Sequence, residues 1–151
     1  MFRRKSLFTV LLALIVSLSI LPIFKLEAHA ATVNASTLAE LQQAINDATD
    51  TTEIVLTADI PLTATVTVPA GKDITLSGGF TLTRTNSAIA FDIKEGASLK
   101  WQDIILDGNA QDTNYKSAVI NNQGKLTING GEIKNVRSNS PMVGIVTAKG
   151  P

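Results

Sequence analysis

Four glycines, Gly71, Gly96, Gly124 and Gly150, recur at intervals of 25, 28 and 26 residues, and the residues around them recur as well. Five positions before each stand Val66, Phe91, Val119 and Ile145. Shortly after the first three come Ile74-Thr75-Leu76, Leu99-Lys100-Trp101 and Leu126-Thr127-Ile128. A short-strand unit of this period cannot bury its apolar side chains alone. It buries them by stacking on the next copy of itself, and the expected architecture is a solenoid.

In such a stack each strand lies on its equivalent one coil below, about 4.8 Å away. Alternate residues then point inward and form columns. Val66, Phe91, Val119 and Ile145 are expected to make one column, and Leu76, Trp101 and Ile128 another. Two alignments without gaps support this. Ala118–Gly124 matches Gly144–Gly150, and Leu99–Gln102 matches Leu126–Asn129. Glycine at each bend is expected because a sharp corner often requires positive φ or close backbone approach. Glu53-Ile54-Val55-Leu56 and Thr65–Val68 have the β-branched, threonine-rich character of short strands, with Pro61 and Pro69 at strand ends where a missing donor costs little.

Before the repeats the sequence predicts one helix, from Thr37 to about Ala48. Thr37 and Glu40 fit a capping box, and Leu38, Leu41, Ala44, Ile45 and Ala48 fall on one face. A single apolar stripe must be laid on something, and the open first coil of the solenoid is the natural acceptor.

The first thirty residues stand apart and resemble an export leader. Arg3, Arg4 and Lys5 begin it, an apolar stretch runs from Leu7 to Phe24, and Ala28-His29-Ala30 supplies a small-x-small cleavage pattern. Residues 1–30 are therefore expected to be a secretory signal and 31–151 one parallel β-helix domain on a secreted or cell-surface protein. The leader holds four of the 13 basic residues and one of the 13 acidic ones, so the remainder carries more acid than base. That balance offers no electrostatic footprint for nucleic acid or for an anionic membrane once the leader is gone. With no cysteine in the chain, disulfides and thiolate chemistry are excluded. The only histidine, His29, leaves with the leader, which removes the side chain most often used for proton transfer near neutral pH.

The capping helix, the Ile-x-Leu strands, Gly78-Gly79-Phe80, Leu106-Asp107-Gly108-Asn109 and the run Leu126-Thr127-Ile128-Asn129-Gly130-Gly131 together resemble the right-handed parallel β-helix of the pectate-lyase-like superfamily. The variant resembled is its exported, surface-associated bacterial form, the pectate-lyase-like adhesive domain. The resemblance covers Ala31 to Pro151. It implies an all-β fold of about four coils with a helical N-terminal cap, and a non-catalytic role in adhesion to glycans or to host or matrix proteins. Repeat motifs specify a fold far better than an activity.

The resemblance also implies an alternative, a polysaccharide lyase whose active site lies beyond the end of this chain. Only under that alternative is a cofactor, calcium, expected. Within the chain Asp92, Asp103 and Asp107 are the available carboxylates, and Asp92, flanked by inward-looking Phe91 and Ile93, is expected to be a lone solvated strand residue. Asp103 and Asp107 align with Gly130 and Lys134 on the next coil, so they found no acidic column and are read as solvated surface. Arg84 and Arg137 fall in no recognisable motif, and no catalytic, cofactor-binding or metal-ligating residue is assigned. Asp107-Gly108-Asn109 reads first as a turn. Trp101 is expected in the core rather than on a sugar platform, and Asn121 and Asn122 are expected to stack as an internal ladder. The candidate ligand-contacting loop is the polar insertion holding Asp112, Asn114, Tyr115 and Lys116. Finally, Gly150-Pro151 falls at a corner, so the chain reads as an N-terminal portion or a truncated product. Its last coil is expected to offer an open edge for self-association.

Overall fold

The computed structural model describes residues 30–49, 51–109 and 118–136, and the strand 146–148. The leader, the insertion with Asp112, Asn114, Tyr115 and Lys116, and Ile145 and Gly150 lie outside the described residues.

Strand β1 (Ala31–Ala35) leads into helix α1 (Leu38–Asp47). Then follow β2 (Thr51–Leu56), β3 (Ile60–Leu62), β4 (Val66–Val68), β5 (Asp73–Ser77), β6 (Thr81–Arg84) and β7 (Phe91–Ile93). The described strands end with β8 (Ser98–Asp107), β9 (Ile120–Asn122), β10 (Lys125–Lys134) and β11 (Val146–Ala148). Every pairing is parallel, and the strands wind into a β-solenoid of about four coils with three faces. Face one stacks β1, β2, β5 and the first halves of β8 and β10. Face two stacks β3, β6 and the second halves of β8 and β10, and face three stacks β4, β7, β9 and β11.

Period-two alternation along these strands fills the interior. On face one the inward column runs Val33, Ile54, Leu76, Trp101, Ile128, and the three middle members are fully buried. The expected Leu76–Trp101–Ile128 column is therefore present. On face three Val66 pairs with Phe91, as expected, but Phe91 pairs with Ile120 and Ile120 with Val146. The expected members Val119 and Ile145 are thus displaced by one. The cause is the corner between β9 and β10, where only Gln123 and Gly124 intervene; the preceding coils take 69–72 and 94–97. Val119 is still buried, but just before β9, at the corner that enters face three, where its carbonyl accepts from the amides of Ala90 and Phe91 at 2.8 and 3.2 Å.

The same shortening separates the repeating glycines. Gly71 and Gly96 are equivalent, both at φ +78°, and the Gly71 amide donates to the Gly96 carbonyl at 3.0 Å. Gly124 is a glycine for another reason: a Cβ there would lie 2.5 Å from the carbonyl oxygens of both Lys94 and Ala97.

At the start of the stack each face ends its hydrogen-bond ladder differently. Face one is extended by β1. On face two the terminal strand β3 carries Pro61 at its centre rather than at its end, a residue with no donor to leave exposed. On face three the Gln42 side chain of α1 acts as a substitute strand. Its Nε2 donates to the Thr67 carbonyl and its Oε1 accepts from the Thr67 amide, both at 2.9 Å. The helix buries Leu41, Ala44 and Ile45 against the first coil, as expected for a cap. Lys72 anchors its far end by donating to the Asn46 and Ala48 carbonyls.

The helix starts as the sequence predicts, with the Thr37 hydroxyl accepting from the Glu40 amide at 3.2 Å. The return bond falls one residue earlier than in a standard capping box. The Glu40 carboxylate accepts from the Ser36 amide and hydroxyl, each at 2.8 Å. These bonds, the Ser36 amide foremost, hold the Glu40 pKa below its ordinary 4.5. A depressed carboxylate contributes stability that is complete above its unfolded value and is lost as pH falls through the folded one. The thermal midpoint should therefore drop on acidification below about pH 4.5. Glu40→Gln should make that drop shallower. Identical acid limbs for the two proteins would refute the assignment.

Candidate functional site

Two outward regions are positioned by this fold, the plane of face one and the corner joining faces two and three. On face one the residues that do not point inward form rows running along the stack. One row is Thr32, Glu53, Thr75, Lys100, Thr127, and another is Thr51, Asp73, Ser98, Lys125. Each holds one acid and one base among hydroxyl groups, so no charge of a given sign is stacked on another of its kind. Hydroxyls and acids are cross-linked along the stack. Thr51 Oγ1 donates to Asp73 at 3.0 Å, and Ser77 Oγ donates to Glu53 at 2.8 Å. A surface held this way is a plane of donors and acceptors at strand spacing, about 4.8 Å apart. It can hydrogen-bond an extended polar polymer without concentrating charge.

The carboxylates singled out in the sequence do not converge. Asp92 on face three accepts from Lys94 at 2.6 Å and from Asn121 Nδ2, one coil on, at 2.9 Å. It is therefore bridged to its neighbours rather than solitary on the strand. Asn121 is consequently tied to an acid on the preceding coil, and Asn122 leaves its Oδ1 buried without a hydrogen-bond partner. Asp107 accepts from the Asn109 amide at 2.9 Å and from Asn135 Nδ2 at 3.0 and 3.1 Å, which makes Asp107-Gly108-Asn109 the turn its sequence suggests. Asp103 stands at the corner between faces one and two with φ +57°, its carboxylate lying over Gly130 of the next coil. Among the described residues no three histidines, cysteines or acids gather where they could hold a metal ion.

The second region is built by connections that all leave one corner of the stack. They comprise residues 63–65, then 85–90, then 108–119. The last contains the insertion with Asp112, Asn114, Tyr115 and Lys116, which lies outside the described residues. Order in the middle connection comes from Arg84, which sequence reasoning missed. Arg84 occupies an inward position beside Leu62 and is 1 % exposed. Its guanidinium donates to the carbonyls of Asn86 at 2.9 Å and Ser87 at 3.2 Å, folding that loop over the end of β6. The signal was available: Leu82 and Arg84 share a strand phase, so an inward arginine follows from the alternation.

Trp101 is fully buried, its ring edge-to-face with Phe91 at 5.3 Å, which assigns it to the core. A concavity of about 570 Å³ between β1 and α1 is lined by Ala31, Val33, Ala44 and Ala48 together with Glu40 and Asp47. Comparison with known proteins adds no identity to this geometry: no family model, no curated protein and no solved structure matches the chain.

Proposed function

We propose that the chain is an exported β-helix domain that binds polar polymers, glycans first among them, through face one and without catalysing their cleavage. The carrying observation is the central row Thr32, Glu53, Thr75, Lys100, Thr127, in which threonines alternate with one acid and one base. Hydroxyl-rich rows with balanced charge suit a neutral, hydrogen-bonding ligand better than a polyanion. The leader-like first thirty residues supply the export, and the resemblance of the repeats to the pectate-lyase-like adhesive domain supplies the adhesive element. Asp92 and Asp107 support the non-catalytic side of the reading, since each is held by partners on its own or the adjacent coil.

The test is binding to immobilised polysaccharides, with face one altered at its middle. Thr75→Lys places a second cation beside Lys100 at the half-buried centre of the plane. Binding to a neutral polysaccharide should weaken about tenfold, or by ~1.4 kcal/mol, with little change in thermal midpoint. Unchanged binding by this variant would move the site off face one. Unsaturated product from polygalacturonate and calcium, followed by ultraviolet absorbance, would overturn the non-catalytic reading.

A further inference from the structure

Face one is neutral as a whole, but its charges are not mixed. Glu53 and Asp73 stand on β2 and β5, and Lys100 and Lys125 on β8 and β10, the next two strands along the stack. Each row keeps its acid and its base two strand spacings apart, about 10 Å. A hydroxyl residue lies between them in both rows. Thr75 separates Glu53 from Lys100, and Ser98 separates Asp73 from Lys125. The two acids are diagonal neighbours on adjacent strands, about 8 Å apart at Cα, and so are the two bases. The outward plane therefore has an acidic half and a basic half of the same shape. These positions look sideways from the stack and do not depend on what lies at its ends.

Charges that serve the fold alone are expected to meet, as Asp92 meets Lys94 at 2.6 Å on face three. On face one they do not. A separation of about 10 Å is one Debye length at ordinary ionic strength, so the two halves are largely screened from each other. The acids are instead fixed by hydroxyls, Glu53 by Ser77 and Asp73 by Thr51. The ammonium groups of Lys100 and Lys125 make no hydrogen bond or ion pair among the described residues. One half thus presents carboxylates already positioned for a cation, and the other presents two ammonium groups for an anion.

We infer that the polymer bound by face one is zwitterionic, a polysaccharide carrying both amino and carboxylate groups. It lies along the stack with cationic groups over Glu53 and Asp73 and anionic groups over Lys100 and Lys125. The inference rests on the glycan reading of this face and narrows it. A polymer of one sign gains from one half and is repelled by the other, and an uncharged polymer leaves all four charges unused. A polymer with both signs engages both halves and is held in one direction along the stack.

The test compares four immobilised polymers at mildly acidic pH, where amino groups are cationic and carboxylates anionic. Carboxymethyl-chitosan carries both signs, chitosan is a polycation, polygalacturonate a polyanion and hydroxyethyl cellulose neutral. Carboxymethyl-chitosan should bind at least tenfold tighter than each of the other three, and added salt should erode the difference. Glu53→Lys combined with Lys100→Glu keeps the net charge but mixes the signs between the halves, and should weaken that binding at least tenfold. Adding Asp73→Lys and Lys125→Glu reverses the face from end to end, and should return binding to within roughly threefold of the parent, since the polymer can turn round. Thermal midpoints confirm that the variants fold. Any single-signed polymer that binds as tightly as carboxymethyl-chitosan overturns the inference, as does a folded mixed variant that binds like the parent. Equal binding of carboxymethyl-chitosan and hydroxyethyl cellulose, both lost in Thr75→Lys, overturns the inference and leaves the face-one glycan reading standing. Binding to none of the four overturns both.

Discussion

Trp101→Asp should abolish cooperative folding near physiological temperature, with a loss of more than about 4 kcal/mol. The side chain is fully buried in the third coil, with Leu76 below it, Ile128 above it and Phe91 against its ring. Replacement removes an aromatic worth about 3–5 kcal/mol in a packed core and leaves a carboxylate with no cation beside it. Native Trp101 leaves its indole Nε1 without a partner, so the surroundings offer no acceptor or donor arrangement for a polar replacement. Trp101→Phe should be far milder, because it keeps an aromatic in the column and removes the unpaired donor. Thermal melts monitored by circular dichroism would check both. A Trp101→Asp midpoint equal to that of the parent would refute the column assignment.

That column was legible in the sequence because two physical rules act on it together. A parallel stack requires equivalent residues to recur, and inward residues must be apolar, so Leu76, Trp101 and Ile128 could be aligned by eye. The helix was legible for the same kind of reason: Thr37 satisfies a free amide, and one stripe is apolar. What failed was the register of face three. Glycine spacing is a poor ruler on that face, because glycines at corners answer to two different demands. Gly71 and Gly96 supply positive φ, whereas Gly124 supplies room beside two carbonyl oxygens. Counting glycines therefore hid the loss of two residues at that corner and displaced Val119 from a place that Ile120 holds.

Features made by side chains crossing between coils were not legible either. The Gln42 clamp on Thr67 joins residues 25 apart, and the Asn121–Asp92 bond joins residues 29 apart. Neither separation equals a single repeat period common to the chain. Arg84 was overlooked because a charged residue is assigned to the surface by default. The alternation of β6 overrides that default by giving its guanidinium loop carbonyls to bind. The candidate site suffers most from this limit. Face one is a property of rows across four coils, and the chemistry of a row appears only once register is known.

Gly78→Ala and Gly79→Ala should differ sharply although the two glycines are adjacent. Both lie in the turn between β5 and β6, in the Gly-Gly-Phe run that helped carry the family resemblance. Gly79 has φ +72° with open space around the site of a Cβ. Its alanine variant meets only the left-handed backbone penalty of about 1–2 kcal/mol. Part of that is offset by about 0.4–1 kcal/mol from a less flexible unfolded chain. Gly78 has φ +122°, a conformation that alanine hardly populates. A Cβ there would overlap the carbonyl oxygen of Leu56 and lie 2.9 Å from its nitrogen. Those atoms belong to the last residue of β2, which is in register with Ala35 of β1, so they cannot move without disturbing that end of the face-one ladder. Strain and overlap together should cost about 3–5 kcal/mol. On a domain of this size the two variants should be separated by roughly 10 °C in midpoint, at ~4 °C per kcal/mol. Equal midpoints would mean that the corner can be rebuilt, and that Gly78 is not what brings β5 and β6 round against the strand below.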